Sequence, residues 1–345
     1  MQDPIQIPDQ EMLAEIKRKI DTKTKPTGAL GQLEDIAAKI ALIQQSLAPK
    51  LTSPHILIFA GDHGIASEGV SAYPREVTYQ MVYNFLAKGA AINVFAGQNA
   101  ISLNIIDAGV AHKFEMNNGP IDQKIGFGTY NFLEEAAMSK TEVDRCLKLG
   151  AQAVDRVSNE SSCNVVGFGE MGIANTSSAS MLMSYFCKIP IDQCVGIGTG
   201  LSTDQLAHKQ IVLQRARDRI GTVDEPLEIL QQCGGFEIAQ MVGAMIRAAK
   251  RKMVLLIDGF IATAAFSVAS AIDSNIHHYA IFCHQSGEAG HARMLRFHQA
   301  DPLIKMNMRL GEGTGCALAF PLIESAIAFF NNMASFESAQ VSEKD

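Results

Sequence analysis

HILIFAGDHG, residues 55–64, decides the fold. Apolar residues run without alternation from Ile56 to Ala60 and stop at Gly61-Asp62, with His63 and a second glycine just beyond. A strand with one wet face would alternate; an unbroken apolar run of this length suits a strand covered on both faces, as in a parallel sheet between helices. The pattern recurs as ISLNIIDAGV (101–110), CNVVGFGEMG (163–172), CVGIGTGLS (194–202), MVLLIDGF (253–260) and YAIFCHQSGEAG (279–290). Helical stretches separate these six runs, so the expectation is an α/β fold with a doubly wound, mostly parallel sheet.

In that architecture the loops leaving the carboxyl ends of the strands line the ligand crevice. Here those loops carry most of the unusual chemistry: Gly61-Asp62-His63-Gly64, Asp107-Ala108-Gly109, Gly169-Glu170-Met171-Gly172, Gly198-Thr199-Gly200, Asp258-Gly259 and Ser286-Gly287-Glu288-Ala289-Gly290. Outside the sheet, Gln10–Ile20 and Leu30–Leu47 show helical apolar spacing around a Pro/Gly turn, and Thr314–Asn331 is helical again. The expected division is residues 1–50 as N-terminal helices of a small domain, 51–313 as the α/β catalytic domain, and 314–345 as the C-terminal helix of the small domain with a loose acidic tail from Glu337.

Composition narrows the function classes. A net charge of −7, with no basic run longer than the three residues Lys250-Arg251-Lys252, argues against nucleic acid. Seven cysteines without a C-x-x-C pair fit reduced thiols in the cytoplasm. MQDPIQIPDQEM lacks the basic start and apolar run of a signal peptide, which adds to the expectation of a cytoplasmic protein. The one stretch that resembles a membrane span, Met253–Ile272, is divided by Asp258-Gly259 and reads as strand, loop and helix, so no membrane partner is expected.

Among candidate chemical groups, Glu312 stands between two glycines in RLGEGTG, before a helix that Thr314 can cap. Two readings stand there: a functional carboxylate on a backbone with special dihedrals, or a charge that complements a helix dipole. GFGEMGIANTSSAS (167–180) runs from strand to Gly-rich loop to a helix capped by Asn175, Thr176 or Ser177, where free N–H groups suit a phosphate; an ordinary strand–helix loop would look the same. GFGEMG (167–172) has the spacing G-x-G-x-x-G, but its first glycine lies inside the apolar strand run rather than after it, and G-x-x-x-x-G-K-[ST] is not satisfied, which argues against a dinucleotide or nucleoside triphosphate. Gly198, Thr199 and Gly200 offer a second cradle with Lys209 two helical turns on, although a lone lysine is more often a solvated one. Asp62, His63, Ser71, Tyr73 and Gln80 mix polar and aromatic groups suited to a flat heterocycle. No metal-ligand spacing occurs, His277-His278 diverge, and no cofactor or metal is expected. Without G-x-S-x-G, Cys316 reads as a small buried side chain.

Taken in order, KTKPTGALGQLE, GDHGIASEGVSAYPREVTYQMV, GFGEMGIANTSSAS, GGFEIAQMVGAM, IDGFIATAAF, SGEAGHARML and RLGEGTGCALA resemble the nicotinate-nucleotide:dimethylbenzimidazole phosphoribosyltransferase family over about Lys23 to Glu324. The resemblance implies a Rossmann-like large domain with a small helical domain from both termini, a homodimer, and synthesis of α-ribazole phosphate and nicotinate for the lower ligand of cobalamin. It places the general base on Glu312 and a second carboxylate on Glu170. It also implies nucleotide contacts at Gly172, Asn175, Thr176, Gly200 and Lys209, with Gly259 and Ser286 near the nicotinate, and a base pocket from Ser71, Tyr73, Gln80 and Leu310. Thr27, Ala29 and Ala174 depart from the family's Pro, Ser and Gly, which touches loop shape only. A relative that ribosylates adenine, another benzimidazole or a phenol, and a non-catalytic nucleotide sensor, are the rival expectations.

Overall fold

The structure is a computed structural model and describes residues 3–115, 117–196 and 200–342. The chain opens with helices α1 (Leu13–Asp21) and α2 (Gln32–Gln44), then alternates β1 (His55–Gly61), α3 (Val77–Leu86), α4 (Ala91–Gln98), β2 (Ser102–Gly109) and β3 (Ile121–Asp122). Next come α5 (Lys140–Ser161), β4 (Val165–Met171), α6 (Asn175–Cys187), α7 (Thr203–Ile220), α8 (Pro226–Cys233) and α9 (Phe236–Lys250). The rest is β5 (Val254–Ile257), α10 (Phe260–Ile272), β6 (Ala280–Phe282), α11 (His291–Phe297), α12 (Thr314–Asn332) and α13 (Phe336–Ala339).

All strand pairs are parallel, in the order β3-β2-β1-β4-β5-β6. The winding therefore reverses between β1 and β4, which opens a crevice at their carboxyl ends. Every residue of β5 and β6 is buried, as the unbroken apolar runs require. Residue parity shows the two covered faces: Ile56 packs against Gly313 at the start of α12, whereas Gly61, of opposite parity on β1, packs against Glu237 of α9.

Five of the six expected runs are strands. No described residue of CVGIGTGLS is in a strand: a short 3-10 turn, Ile191–Gln193, precedes it, residues 194–196 and 200–202 carry no strand, and 197–199 lie outside the described residues. Three glycines at alternate positions leave that run too little apolar surface and too much backbone freedom to hold a place in the sheet. The sixth strand is instead the two-residue β3 at the edge, beside Asp107. Asp107 pairs with Lys124 at 2.8 Å, so this β2 loop is committed to the sheet edge and does not line the crevice described below.

The helices at the two ends of the chain meet, since α2 packs on both α1 and α12. An antiparallel bridge joins Lys23 to Ser335, and Phe336 N–H donates to Thr22 O, so the first part of the segment expected to hang loose, Glu337 to Ala339, lies instead in the capped helix α13. Besides Met253–Ile272, which resolves into β5, a loop and α10, helix α12 is long and apolar enough to cross a membrane by length and composition. That apolarity is used here for packing, because most of its inward positions, from Cys316 to Phe330, are buried.

Candidate active site

A cleft of about 660 Å³, open to solvent, lies over the carboxyl ends of β4, β5 and β6. Its polar lining comes from Glu170, Asn175, Thr176, Asp258, His284, Ser286, Glu288 and Arg309, and its apolar wall from Met171, Ile173, Phe260, Ile261 and Leu310. Gly172, Gly259 and Gly311 complete it.

Helix α6 starts at this cleft. Its N-cap is Ala174, not the polar residues next to it, and no side chain caps it; the backbone closes part of the first turn itself, with Asn175 N–H donating to Gly172 O (3.1 Å) and Ser177 N–H to Ala174 O (2.9 Å). Ala174 has φ 74°, a left-handed conformation that suits glycine better than alanine. Behind the first turn, Lys209 is 1% exposed and its Nζ donates to Thr176 Oγ1 at 2.9 Å. Lys209 is therefore no solvated lysine: desolvation lowers its ammonium to about 8, against the opposing pull of Glu288. Gly200 does not line the cleft, and Gly198 and Thr199 lie outside the described residues.

The β5 and β6 ends are tied together by a chain of hydrogen bonds. Ser286 N–H donates to His291 Nδ1 (2.9 Å), which leaves Nε2 as the donor to Thr263 Oγ1 (3.0 Å), and that hydroxyl donates to Gly259 O (2.8 Å). Burial pushes the His291 imidazolium down to about 3, so the ring is neutral and the chain has one polarity. Gly259 and Ser286 are thus held in fixed relation by residues on α10 and α11.

The carboxylates are arranged around the GEGTG turn. Gly311, Glu312 and Gly313 have φ 83°, 63° and 86°, three consecutive left-handed residues of which one is not glycine. A Cβ at Gly311 would stand 2.1 Å from Glu170 Oε1, so the turn passes directly over that carboxyl. Glu170 accepts from Asn175 Nδ2 and from the Glu312 N–H, and burial pushes it up to about 8. Glu312 is 4% exposed, and its Oε2 accepts a long 3.4 Å bond from Ile92 N–H in the first turn of α4. Burial raises Glu312, while the Ile92 bond opposes it. The dipole reading of Glu312 concerns the helix that begins at Thr314; the carboxylate accepts instead from the start of α4, and Glu312 itself stands behind the lining.

The start of α12 is served by a different acid. Thr314 is its first residue and Gly313 its N-cap. Asp258, at the end of β5, accepts from Gly313 N (3.3 Å), Gly315 N (2.6 Å) and Cys316 N (3.2 Å). This long-range cap fixes the turn that carries Glu312.

The expected base pocket is only partly gathered. Leu310 lines the cleft, but Ser71, Tyr73 and Gln80 do not. They lie on the loop before α3 and on α3, which Thr78 Oγ1 ties to the cleft by accepting from Ile173 N at 3.1 Å. Tyr73 and Leu310 are 51% and 56% exposed. Sequence reasoning missed the roles of Asp258, Thr263, Glu288 and His291. Only Asp258 and Glu288 had a signal, their place at strand ends.

The family model described as Phosphoribosyltransferase matches residues 5–341. Proteins of Dechloromonas aromatica and Photobacterium profundum, each named nicotinate-nucleotide--dimethylbenzimidazole phosphoribosyltransferase, are 53% and 51% identical to this chain. The first alignment covers 99% of both chains, the second 97% of this chain and 98% of its relative. The crystal structure of CobT from Thermus thermophilus superposes with a TM-score of 0.93 at 35% identity, covering 97% of this chain and all of the other. By this match of sequence and fold over nearly its whole length, the chain belongs to the nicotinate-nucleotide:dimethylbenzimidazole phosphoribosyltransferase family.

Proposed function

We propose that this chain transfers the phosphoribosyl group of nicotinate mononucleotide to dimethylbenzimidazole, giving α-ribazole phosphate and nicotinate for the lower ligand of cobalamin. The observation that carries the reading is one cleft that joins a helix start without a side-chain cap, backed by buried Lys209, to an apolar wall beside the Glu170 carboxyl, which accepts from the backbone N–H of Glu312 behind it. Phosphate suits the α6 start, where backbone N–H groups and the Lys209 charge converge. Gly172, Asn175, Thr176 and Gly200 take the nucleotide; Gly259 and Ser286 take the nicotinate.

The base attacks the ribosyl carbon through one ring nitrogen while the other loses its proton. Glu312 accepts that proton, giving up only its long bond to Ile92. Glu170, raised to about 8 by burial, is neutral at pH 7. As the bond to nicotinate breaks, the pyridinium ring recovers neutrality and needs no acid. Attack opposite the leaving group inverts the ribosyl carbon. Ser71, Tyr73, Gln80 and Leu310 receive the base; because Tyr73 and Leu310 are more than half exposed, a second reading in which another flat base is accepted draws support from the same loop.

The same reading takes the protein as a cytoplasmic homodimer acting on small molecules, without nucleic-acid or membrane partners, with the end helices α1, α2 and α12 as a small domain beside residues 51–313. Incubation of the pure protein with nicotinate mononucleotide and dimethylbenzimidazole should release free nicotinate. Absence of nicotinate across a range of pH and bases would overturn the enzyme reading in favour of a binding protein.

A further inference from the structure

Beneath the cleft, and not lining it, three elements meet in a dry chain of side chains. His63, just after β1, and Glu237, in the first turn of α9, are both 0% exposed, with Nε2 at 2.6 Å from Oε1. The other ring nitrogen, Nδ1, is 3.1 Å from Ser178 Oγ on α6, and that hydroxyl is 3.1 Å from the Gly234 carbonyl at the α8–α9 junction.

Proton accounting constrains the chain. A carbonyl can only accept, so all three contacts are hydrogen bonds at once only if the single Ser178 hydroxyl proton goes to Gly234; given to Nδ1 instead, it would leave a neutral ring donating from Nε2 to the Glu237 carboxylate. In the first arrangement Ser178 Oγ accepts from His63, and Nδ1 carries a proton. The contact from Nε2 to Glu237 needs a proton of its own, held either on the ring or on the carboxyl. In both cases the pair holds one proton more than a neutral imidazole and a carboxylate would. Glu170 on β4 and Cys146 on α5 lie in the field of Glu237.

The chain also bears on the cleft by direct packing. A Cβ at Gly61 would stand 2.8 Å from Glu237 Oε2, and a Cβ at Gly172 would stand 2.4 Å from the Gly61 carbonyl. Glu237, the Gly61 backbone and the Gly172 turn are therefore stacked without a gap, and Gly172 lines the cleft.

We propose that His63 and Glu237 share one buried proton and that this dyad positions the nucleotide end of the cleft by clamping the β1 loop, α6 and the α8–α9 junction together. The proposal rests on the reading of the α6 start as the phosphate cradle. His63 and Glu237 are positioning residues, since neither lines the cleft.

Nitrogen NMR of the histidine rings in the full chain, with His63 assigned by its loss in His63→Gln, reads the proton without any activity. We expect Nδ1 protonated, with a far-downfield proton in the bond to Glu237; an unprotonated Nδ1 overturns the shared-proton assignment. Glu237→Gln offers an amide donor to Nε2, so it should release the extra proton yet hold the KM for nicotinate mononucleotide within about threefold of wild type. Glu237→Leu keeps bulk without bonding, and should raise that KM roughly tenfold or more with the KM for the base unchanged, as a misplaced anchor does. An unchanged nucleotide KM in Glu237→Leu, with a native circular dichroism spectrum, overturns the positioning role. Should Glu237→Leu not fold, Ser178→Ala carries the test: a nucleotide KM raised about threefold supports the clamp, and an unchanged one overturns it. Wild-type protein that releases no nicotinate refutes the enzyme reading, whereas the NMR result stands apart from it.

Discussion

The nucleotide end of the cleft and the surface proposed for the base, Leu310 with the loop before α3, are built to different standards. At the end assigned to the nucleotide, Lys209 is 1% exposed and already bonded to Thr176, Asn175 is bonded to Glu170, and Gly259 and Ser286 are joined through Thr263 and His291. At the end assigned to the base, Tyr73 and Leu310 are 51% and 56% exposed, and Ser71 Oγ accepts only from the neighbouring Tyr73 N–H at 3.3 Å. The contrast fits the chemistry each end must do. A phosphate anchored by groups whose rotamers are locked loses little entropy on binding and is held in one place. A flat apolar base gains mainly from being covered, so its pocket tolerates a looser surface and more than one base.

Glu312 is the proposed proton acceptor, so its removal should have the largest effect. Glu312→Ala should cut turnover on the order of 100-fold with the fold retained, measured as kcat beside a circular dichroism spectrum. Near-normal turnover would remove Glu312 from proton acceptance.

Lys209→Met tests the prebuilt end. Loss of a charge-assisted bond of about 1.5–3 kcal/mol should raise the KM for nicotinate mononucleotide roughly 10–100-fold, with little change in the KM for the base. Equal rises in both constants would break the division between the ends. The same lysine gives a pH signature. Because burial lowers its ammonium to about 8, the charge is present below that pH and lost above it, so kcat/KM for the nucleotide should fall as pH rises through about 8. Lys209→Arg keeps its charge and should flatten that limb. A limb that persists in the arginine variant belongs to Glu170, whose carboxyl is also raised to about 8.

Tyr73→Ala probes the looser end and should raise the KM for the base only a few-fold, as expected where half of the side chain stays in water. Ala174→Gly should have the smallest effect. It relieves a left-handed alanine at φ 74°, so it should stabilise the protein by about 1 kcal/mol, read as a modest rise in Tm with both KM values unchanged.

Much of the scaffold was legible because its signal is local. Ile56–Ala60 and Val254–Ile257 are strands for the reason their unbroken apolarity suggests, burial on both faces. CVGIGTGLS misled because a Gly-rich apolar run resembles a strand in composition while lacking the side chains that hold one in place. The partners of the site residues were legible only in part. Glu312 was visible between its glycines, but not its bond to Ile92, 220 residues away. Asp258 was visible at a strand end, but not as the cap of a helix that starts 56 residues later, and His63 gave no hint of Glu237, 174 residues on.

By itself the sequence determined the strands, the helices at both ends, the glycine-bearing turns and the family, since each is a property of neighbouring residues or of ordered motifs. The tertiary structure alone decided which charge serves which helix, that Lys209 is buried, and that His63, Glu237 and Ser178 meet. Those outcomes depend on the sheet winding one way from β1 to β3 and the other from β4 to β6. That reversal brings loops far apart in the chain to one crevice, and burial there changes the charge each group prefers to carry.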